Sequence, residues 1–501
     1  MKRRTFCRSA LATAVASAMP VGQLLAATGK SATKIVADIN AITGNGGTKV
    51  IEKAVLKELQ ASLRGQLLLP TSDGYDDARK GWNGMIDKRP ALIVRCHGAS
   101  DVINAVNLAR DYELLTAVRG GGHSAAGKFV CEGGIMIDLS PMQGVHVDPI
   151  ARSARVEPGV LLGAVDHEAQ AFGLATPAGV VSHTGAAGLT VGGGFGKLSR
   201  KLGLTCDNVR YFDVVTAAGE FKRASISENP DLFWGLRGGG GNFGVVTSFE
   251  YQLHPVGTEF LSGAVMHPIS NIRDVLSFYS EFITTAPNEL EVSSTTVSFP
   301  NGKGFVTMSI FYGGDPKEGE KVLEPLRTFG KPMSDNIALK KYLDIQRETD
   351  RNVPVGQQYY QKTGFLSGIE PAMIDAVEAM VGNPKPFSLN ANFTQVGGVI
   401  SEIDTSATAY ANRDAQAQIV LGGSWPKPVD QAEEWIASVR KDWDAMAPLT
   451  NGFYINNMMG DEGDKKIRAN FGENYDRLVE LKNKYDPTNL FSLNANVKPT
   501  V

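Results

Sequence analysis

His123 follows directly on three glycines in the stretch "AVRGGGHSAAG", residues 117–127. With no side chain for three residues, the backbone can approach a large flat or anionic group closely and offer its N–H groups to it. The pattern recurs in "GAAGLTVGGGFGKLSRKLGL", residues 185–204, and in "GLRGGGGNFGVVTSFEYQL", residues 235–253. One isolated glycine loop reads as a tight turn. Three in one region are what a large, elongated cofactor would use together, and His123 is the reactive side chain set among them.

The spacing argues against commoner cofactor loops. A Rossmann site needs strand, GxGxxG and helix in that order, with an acidic residue about 20 positions on. No glycine run fits, and the third runs from a helix into a strand. "GGGFGK" lacks the spacing and hydroxyl of a nucleotide phosphate loop. His167 and Glu168 open "HEAQA", without the second histidine of HExxH, and the seven histidines are otherwise scattered, so no metal site is expected. Neither GxSxG nor a sustained heptad is present, which leaves a hydrolase or coiled-coil scaffold without support.

The elements that must position these loops alternate between strand and helix. "PALIVRC" reads as a buried strand, "ASDVINAVNLARDYEL" as a helix with Val102, Ile103, Val106 and Leu108 at helical spacing, and "LLTAV" as a strand entering the first glycine run. "GGIMIDLS" and "SARVEPG" read as strands and "VLLGAVDHEAQAFG" as a helix. Glycine thins out after Gly263; strands follow near "VSSTTVSF", "KGFVTMSIFYGG" and "DAQAQIVLGGSW" before a closing helix in "ENYDRLVELKNKYDP".

The chain of 501 residues, 43% hydrophobic and 21% charged, is long enough for more than one core. Its 50 basic and 53 acidic residues balance to a net charge of -3 without long runs of one sign. That argues against nucleic acid or an anionic membrane as partner and for a small molecule. The first residues differ: "MKRRTFCRS" followed by "ALATAVASAMPVGQLLAA" has the build of an export signal, with Arg3 and Arg4 resembling a twin-arginine signal and a Sec-type signal as the alternative. The expectation is a signal over 1–27, a linker over 28–47, a periplasmic protein and no membrane contact once the signal is removed. Cys96, Cys131 and Cys206 have no metal or CxxC spacing and read as buried free thiols.

"VRGGGHSAAG" resembles the Arg-x-Gly-Gly-His-Ser flavin-attachment motif of FAD-linked oxidases related to berberine bridge enzyme, in the vanillyl-alcohol oxidase superfamily. "PAGVVSHTGAAGLTVGGGFG", "NPDLFWGLRGGGGNFGVVTSFEY", "YIN" and "YDPTNLFSLNANVKP" are similar to that family's later motifs in the same order. The resemblance implies an α+β fold: a two-lobed PCMH-type FAD-binding domain over 48–257, completed by 447–501. An inserted substrate domain over 258–446 would hold an antiparallel sheet covered by helices. It implies FAD as cofactor, one covalent flavin bond through His123, and cofactor contacts from Arg119, Gly120, Gly121, Gly122, Ser124, Gly127, Thr184, Gly185, Gly188, Leu189, Gly193, Val246, Asn494 and Asn496. Many members attach the flavin a second time through a cysteine, at a position where this sequence has Val181, with Cys206 in another segment. Thr184 aligns with the position that governs oxygen access.

For catalysis the resemblance implies Tyr454 as the residue facing the flavin, and its expected role is the base that takes the donor's proton. The carboxylate used by berberine bridge enzyme is replaced by Val420 in "AQAQIVLGGSW", leaving Gln418 and Tyr410 as polar candidates, with Lys362 and Tyr360 on the pocket wall. The implied reaction is oxidation of a small organic donor with molecular oxygen reduced to hydrogen peroxide; a dehydrogenase with another acceptor or an oxidative cyclisation enzyme is the alternative.

Overall fold

The computed structural model describes residues 33–426 and 429–501, and the signal expected over 1–27 lies outside them. Strand Leu92–Arg95, helix Ala99–Asp111 and strand Thr116–Arg119 form as the apolar spacing predicts. The helix lays Val102, Ala105, Val106 and Ala109, all fully buried, on one stripe against the sheet. The two strands do not pair with each other. Ile135–Asp138 lies between them in parallel with both, and Gln66–Leu68 adds an antiparallel edge. The first glycine loop therefore leaves the C-terminal end of a parallel strand, where open α/β sheets bind ligands.

The expected linker over 28–47 is partly structured. Ile39–Ile42 pairs antiparallel with Thr48–Ile51 across a turn that carries Gly46 at φ 85°. Ile35 and Ala41 enter the core of this lobe. "GNGG" was the hairpin signal in the sequence, and strands as short as these show little period-2 pattern.

The second lobe is a five-stranded antiparallel sheet in the order Phe221–Ser225, Val209–Val215, Val245–Gln252, Ser153–Val156, Val145–Asp148. Helices Leu162–Gln170 and Pro230–Leu236 share its core with the last helix, Tyr475–Tyr485, and with Val497. The C-terminus thus returns to the lobe that the chain left about 200 residues earlier.

Between departure and return stands an eight-stranded antiparallel sheet. Its six long strands run in the order Glu259–Pro268, Gly304–Tyr312, Leu290–Ser298, Ser388–Gln395, Ala417–Trp425 and Gln358–Leu366, the last at the edge. Helices Ile272–Phe282, Pro371–Val381 and Ala432–Met446 cover one face, sharing a core with the strands. Strand Ser388–Gln395, "SLNANFTQ", shows how the faces divide. Leu389, Ala391 and Phe393 are buried toward the helices, while Asn390, Asn392 and Thr394 alternate onto the other face. That polar face looks toward the glycine loops.

Candidate active site

A cavity of about 470 Å³ runs between the glycine loops and the polar face of the large sheet. The first loop contributes Gly120, Gly121, Gly122, His123 and Ser124, the second Thr184, Gly185, Gly188 and Leu189, the third Gly240, Gly241, Gly244 and Val246. The first two loops cross backbone on backbone. A Cβ on Gly121 would stand 2.4 Å from Gly185 Cα, and one on Gly185 would stand 2.6 Å from Gly121 N. Neither position can carry a side chain without parting the loops. Thr184 is held through its main chain: its N–H donates to Val181 (3.1 Å) and its carbonyl accepts from Leu162 (2.9 Å).

The third loop is tied to the C-terminal segment by Asn242, which is fully buried. Its Nδ2 donates to the carbonyls of Gly239 (2.8 Å) and Ala495 (3.0 Å), and its Oδ1 accepts from Val497 N–H (3.0 Å). This is how Phe491, Leu493, Asn494 and Ala495 reach the cavity wall.

On the opposite wall stand Asn392, Thr394, Gln418 and Val420. Their side chains are set by a hydrogen-bonded chain across neighbouring strands. Thr394 Oγ1 donates to Asn392 Oδ1 (2.8 Å), Asn392 Nδ2 donates to Thr295 Oγ1 (2.7 Å), and Gln418 Nε2 donates to Thr363 Oγ1 (2.7 Å). Tyr454 closes the end of the cavity, its ring packed 4.6 Å from that of Phe195. Its hydroxyl oxygen accepts from Gly194 N–H (3.1 Å) and Asn456 Nδ2 (2.8 Å).

Seven residues expected at the site stand off the cavity lining. Tyr410 is buried behind the second loop, where a Cβ on Gly193 would come within 2.7 Å of its ring, and its hydroxyl has no partner. Gly193 itself turns at φ 110° to pass over that ring. Arg119 lies under the first loop, bonded to the Ala78 carbonyl and paired at 3.9 Å with buried Asp138, so it supports the loop from behind. Gly127 adopts φ 64° against Ile86. Asn496, whose Oδ1 is buried without a partner, is not part of the wall that its neighbour Ala495 forms. Lys362 and Tyr360, expected on the pocket wall, occupy the other face of their strand. Both bond to Asp461, and Arg440 donates to the Tyr360 hydroxyl (2.8 Å). In a strand, even-numbered and odd-numbered side chains part company, and it is Thr363 that faces Gln418.

The cavity is poor in charge. Its ionisable lining groups are His123, Lys128 and Tyr454, with no carboxylate. Burial, and next the neighbouring His183, push His123 down to about 4, so its imidazole is neutral near pH ~7. Burial and then Lys88 lower Lys128, against the pull of Glu462. Burial raises Tyr454 well above an ordinary phenol, outweighing the two N–H bonds that would favour its anion. Cys96, Cys131 and Cys206 are buried free thiols. Among the described residues no group of three or more His, Cys, Asp and Glu side chains is arranged to hold a metal ion, and no helix is long and apolar enough to cross a membrane. A second cavity of similar volume lies beside Met142, His146 and Arg155 and contains none of the glycine loops.

Two family models match this chain: an FAD binding domain over 90–225 and the berberine and berberine-like segment over 453–498. An FAD-linked oxidoreductase of Dictyostelium discoideum is 33% identical over 452 residues, covering 89% of this chain and 97% of that protein. The chain belongs to the berberine bridge enzyme-like family of FAD-linked oxidoreductases. Another relative of this oxidoreductase, (R)-6-hydroxynicotine oxidase of Paenarthrobacter nicotinovorans, is 31% identical over 87% of this chain and 97% of its own. The crystal structure of 6-hydroxy-D-nicotine oxidase from Arthrobacter nicotinovorans superposes with a TM-score of 0.80 at 29% identity, covering 87% of this chain and 98% of that one. A carbohydrate oxidase from Microdochium nivale shares the fold, with a TM-score of 0.81 at 22% identity.

The cavity of this FAD-linked oxidoreductase fits its cofactor. A Cβ built on Gly188 or Gly241 meets nothing within 4 Å, so the backbone there is bare to the cavity. His123 Nε2 and Asn494 Oδ1 are buried without a partner inside the protein, as groups awaiting a ligand are. Asn392, Thr394, Asn456 and Lys128 were missed in the sequence. The alternation in "SLNANFTQ" held the signal for the first two, and Asn456 sits inside the quoted "YIN"; nothing local marks Lys128.

Proposed function

We propose that this chain is an exported oxidase with its FAD joined by a single covalent bond to His123. It would take hydride from a small donor that is uncharged when bound and pass the electrons to molecular oxygen, giving hydrogen peroxide. The observation that carries this reading is His123: a neutral imidazole on the cavity wall, its Nε2 buried and unpartnered. Val181, with no nucleophile, stands on the wall where a second attachment would be made. Cys206 is buried off the cavity lining and burial pushes its thiol up, so it is not available for that bond.

FAD, when bound, supplies the hydride acceptor. The glycine loops hold it through backbone N–H groups, and Asn494 offers an acceptor. Asn392, Thr394 and Gln418 hold the donor by neutral hydrogen bonds. A cationic donor would find no carboxylate here, and burying an unpaired charge is costly. Tyr454, expected as the base, has both oxygen lone pairs occupied and its acidity suppressed; it keeps its proton and gives its O–H to an acceptor atom of the donor away from the reacting carbon and nitrogen, fixing the donor in place. A donor that needs no resident base, such as a neutral amine, suits this arrangement. The relative that the chain matches at 31% identity is a hydroxynicotine oxidase. Thr184, smaller than leucine, leaves oxygen a path beside the second loop. The segment "MKRRTFCRS" and the apolar stretch after it support export.

Acid precipitation of the purified protein, peptide mass mapping, and a panel of small amines, alcohols, sugars and phenols added without oxygen test the reading. The expected results are flavin in the pellet, its mass on the His123 peptide alone, and bleaching by a neutral donor followed by recovery in air with one peroxide per flavin. Flavin recovered wholly in the supernatant, or recovery in air without peroxide, contradicts it.

A further inference from the structure

The attachment site contains a second imidazole that the oxidation does not use. His183 lies between Ser182 and Thr184, yet its ring is not on the cavity wall. It stands 5.1 Å from the His123 ring, centroid to centroid, tilted by 34°. Both nitrogens of His183 and Nε2 of His123 are buried without a hydrogen-bond partner. Buried polar atoms are almost always paired because leaving one bare is costly, and three bare nitrogens at one place ask for a function.

The surroundings hold both rings. Trp82 stacks on His123 at 4.6 Å and 10°, and Tyr359 of the large sheet stacks on Trp82 at 4.1 Å. Asp350 accepts from Ser182 N–H (2.8 Å) and Ser182 Oγ (2.5 Å), clamping the residue before His183. Burial and then His183, against the pull of Asp350, keep His123 a neutral imidazole with a lone pair to give, the form a nucleophile requires.

We infer that His183 is a positioning residue for flavin attachment: it holds the His123 imidazole in place and takes the proton that this ring gives up as its bond to the flavin methyl carbon forms. With the single His123 bond proposed above as premise, the atoms balance as follows. One methyl C–H and one imidazole N–H are replaced by a C–N bond. The imidazole proton passes to His183 and the methyl proton to water in the cavity, while the two electrons pass through the flavin to molecular oxygen, which takes up two protons as hydrogen peroxide. One water between the rings suffices to carry the proton to His183.

The test follows coupling itself rather than turnover. Full-length wild type, His183→Phe and His183→Ala are purified and kept in air with excess FAD, and acid-stable flavin is followed over time by in-gel fluorescence. Wild type is expected to arrive fully coupled. His183→Phe should retain FAD but couple it about 10²-fold more slowly, the scale of a lost proton acceptor. In His183→Ala, added imidazole should restore the rate and pyrrole, of the same shape without a basic nitrogen, should not. Coupling of His183→Phe at the wild-type rate, or equal rescue by imidazole and pyrrole, overturns the role. Should the phenylalanine variant fail to hold FAD, the alanine variant with the two heterocycles decides. Wild-type flavin that is wholly acid-released removes the His123 bond and this role together, whereas normal coupling in His183→Phe removes the role alone.

Discussion

Tyr454 accepts two N–H bonds on one oxygen and burial suppresses its ionisation, so its own proton is what it has left to give. Tyr454→Phe keeps the ring against Phe195 and should leave flavin content unchanged. Flavin bleaching by the donor should slow by about 10²-fold, the scale of one lost positioned donor, while recovery in air keeps its rate. Stopped-flow measurement of the two halves decides, and a variant slowed only in the oxygen half contradicts the assignment. Tyr410, the fallback tyrosine in the sequence, lies behind Gly193 and off the cavity lining.

Helix Tyr475–Tyr485 and the segment after it are pinned by a buried ion pair. Lys482 Nζ donates to Asp486 Oδ2 (2.6 Å) and to the carbonyls of Asn242 (3.0 Å) and Phe491 (3.1 Å), and both side chains are 0% exposed. Asp486 in turn accepts from the N–H groups of Leu490 (2.8 Å) and Phe491 (2.9 Å). The pair thus fixes the segment that supplies Phe491 and Asn494 to the cavity. Lys482→Met strands a buried carboxylate, a change that costs about 3–5 kcal/mol. We expect a lower urea midpoint and weaker flavin retention on gel filtration; unchanged values in both would show that the segment is held by packing alone.

The FAD-binding part and the large-sheet part meet at another buried carboxyl. Asp166, on helix Leu162–Gln170, accepts from Gln346 Nε2 (3.2 Å), and Gln346 Nε2 also donates to the carbonyl of Gly179 (3.1 Å) on the cavity wall. Burial raises Asp166 from 3.8 to about 7, against the pull of Gln346 and Arg347. An acid raised on folding holds its proton more tightly in the folded state. Its stabilising contribution is therefore complete below 3.8 and is lost as pH climbs to about 7. Asp166→Asn keeps the Gln346 bond and cannot ionise. The variant should match wild type near pH ~4 and exceed it near pH ~8, by at most about 4 kcal/mol for a shift of this size. Urea melts at the two pH values check this, and an equal gap at both ends contradicts it.

The glycine-loop half of the cavity was legible in the sequence because backbone lines it. A glycine run announces bare N–H groups wherever it occurs, so the three loops and His123 could be named before any fold was known. The strand and helix around the first loop were legible too, since apolar spacing is a local property. Period-2 alternation was plain in "SLNANFTQ" and broken in "QYYQKTGFL", and even where plain it shows only that two faces exist. Which face turns to the helices and which to the cofactor depends on how the sheet packs against a lobe formed by residues over 200 positions away. That packing put Asn392 and Thr394 on the cavity side, with Thr363 against Gln418, and turned Lys362 and Tyr360 to the other face, where both bond to Asp461. It also brought together Trp82, His123, His183 and Tyr359, from four separate segments. A contact between distant segments leaves no periodic mark in either of them, and so only the tertiary structure decides it.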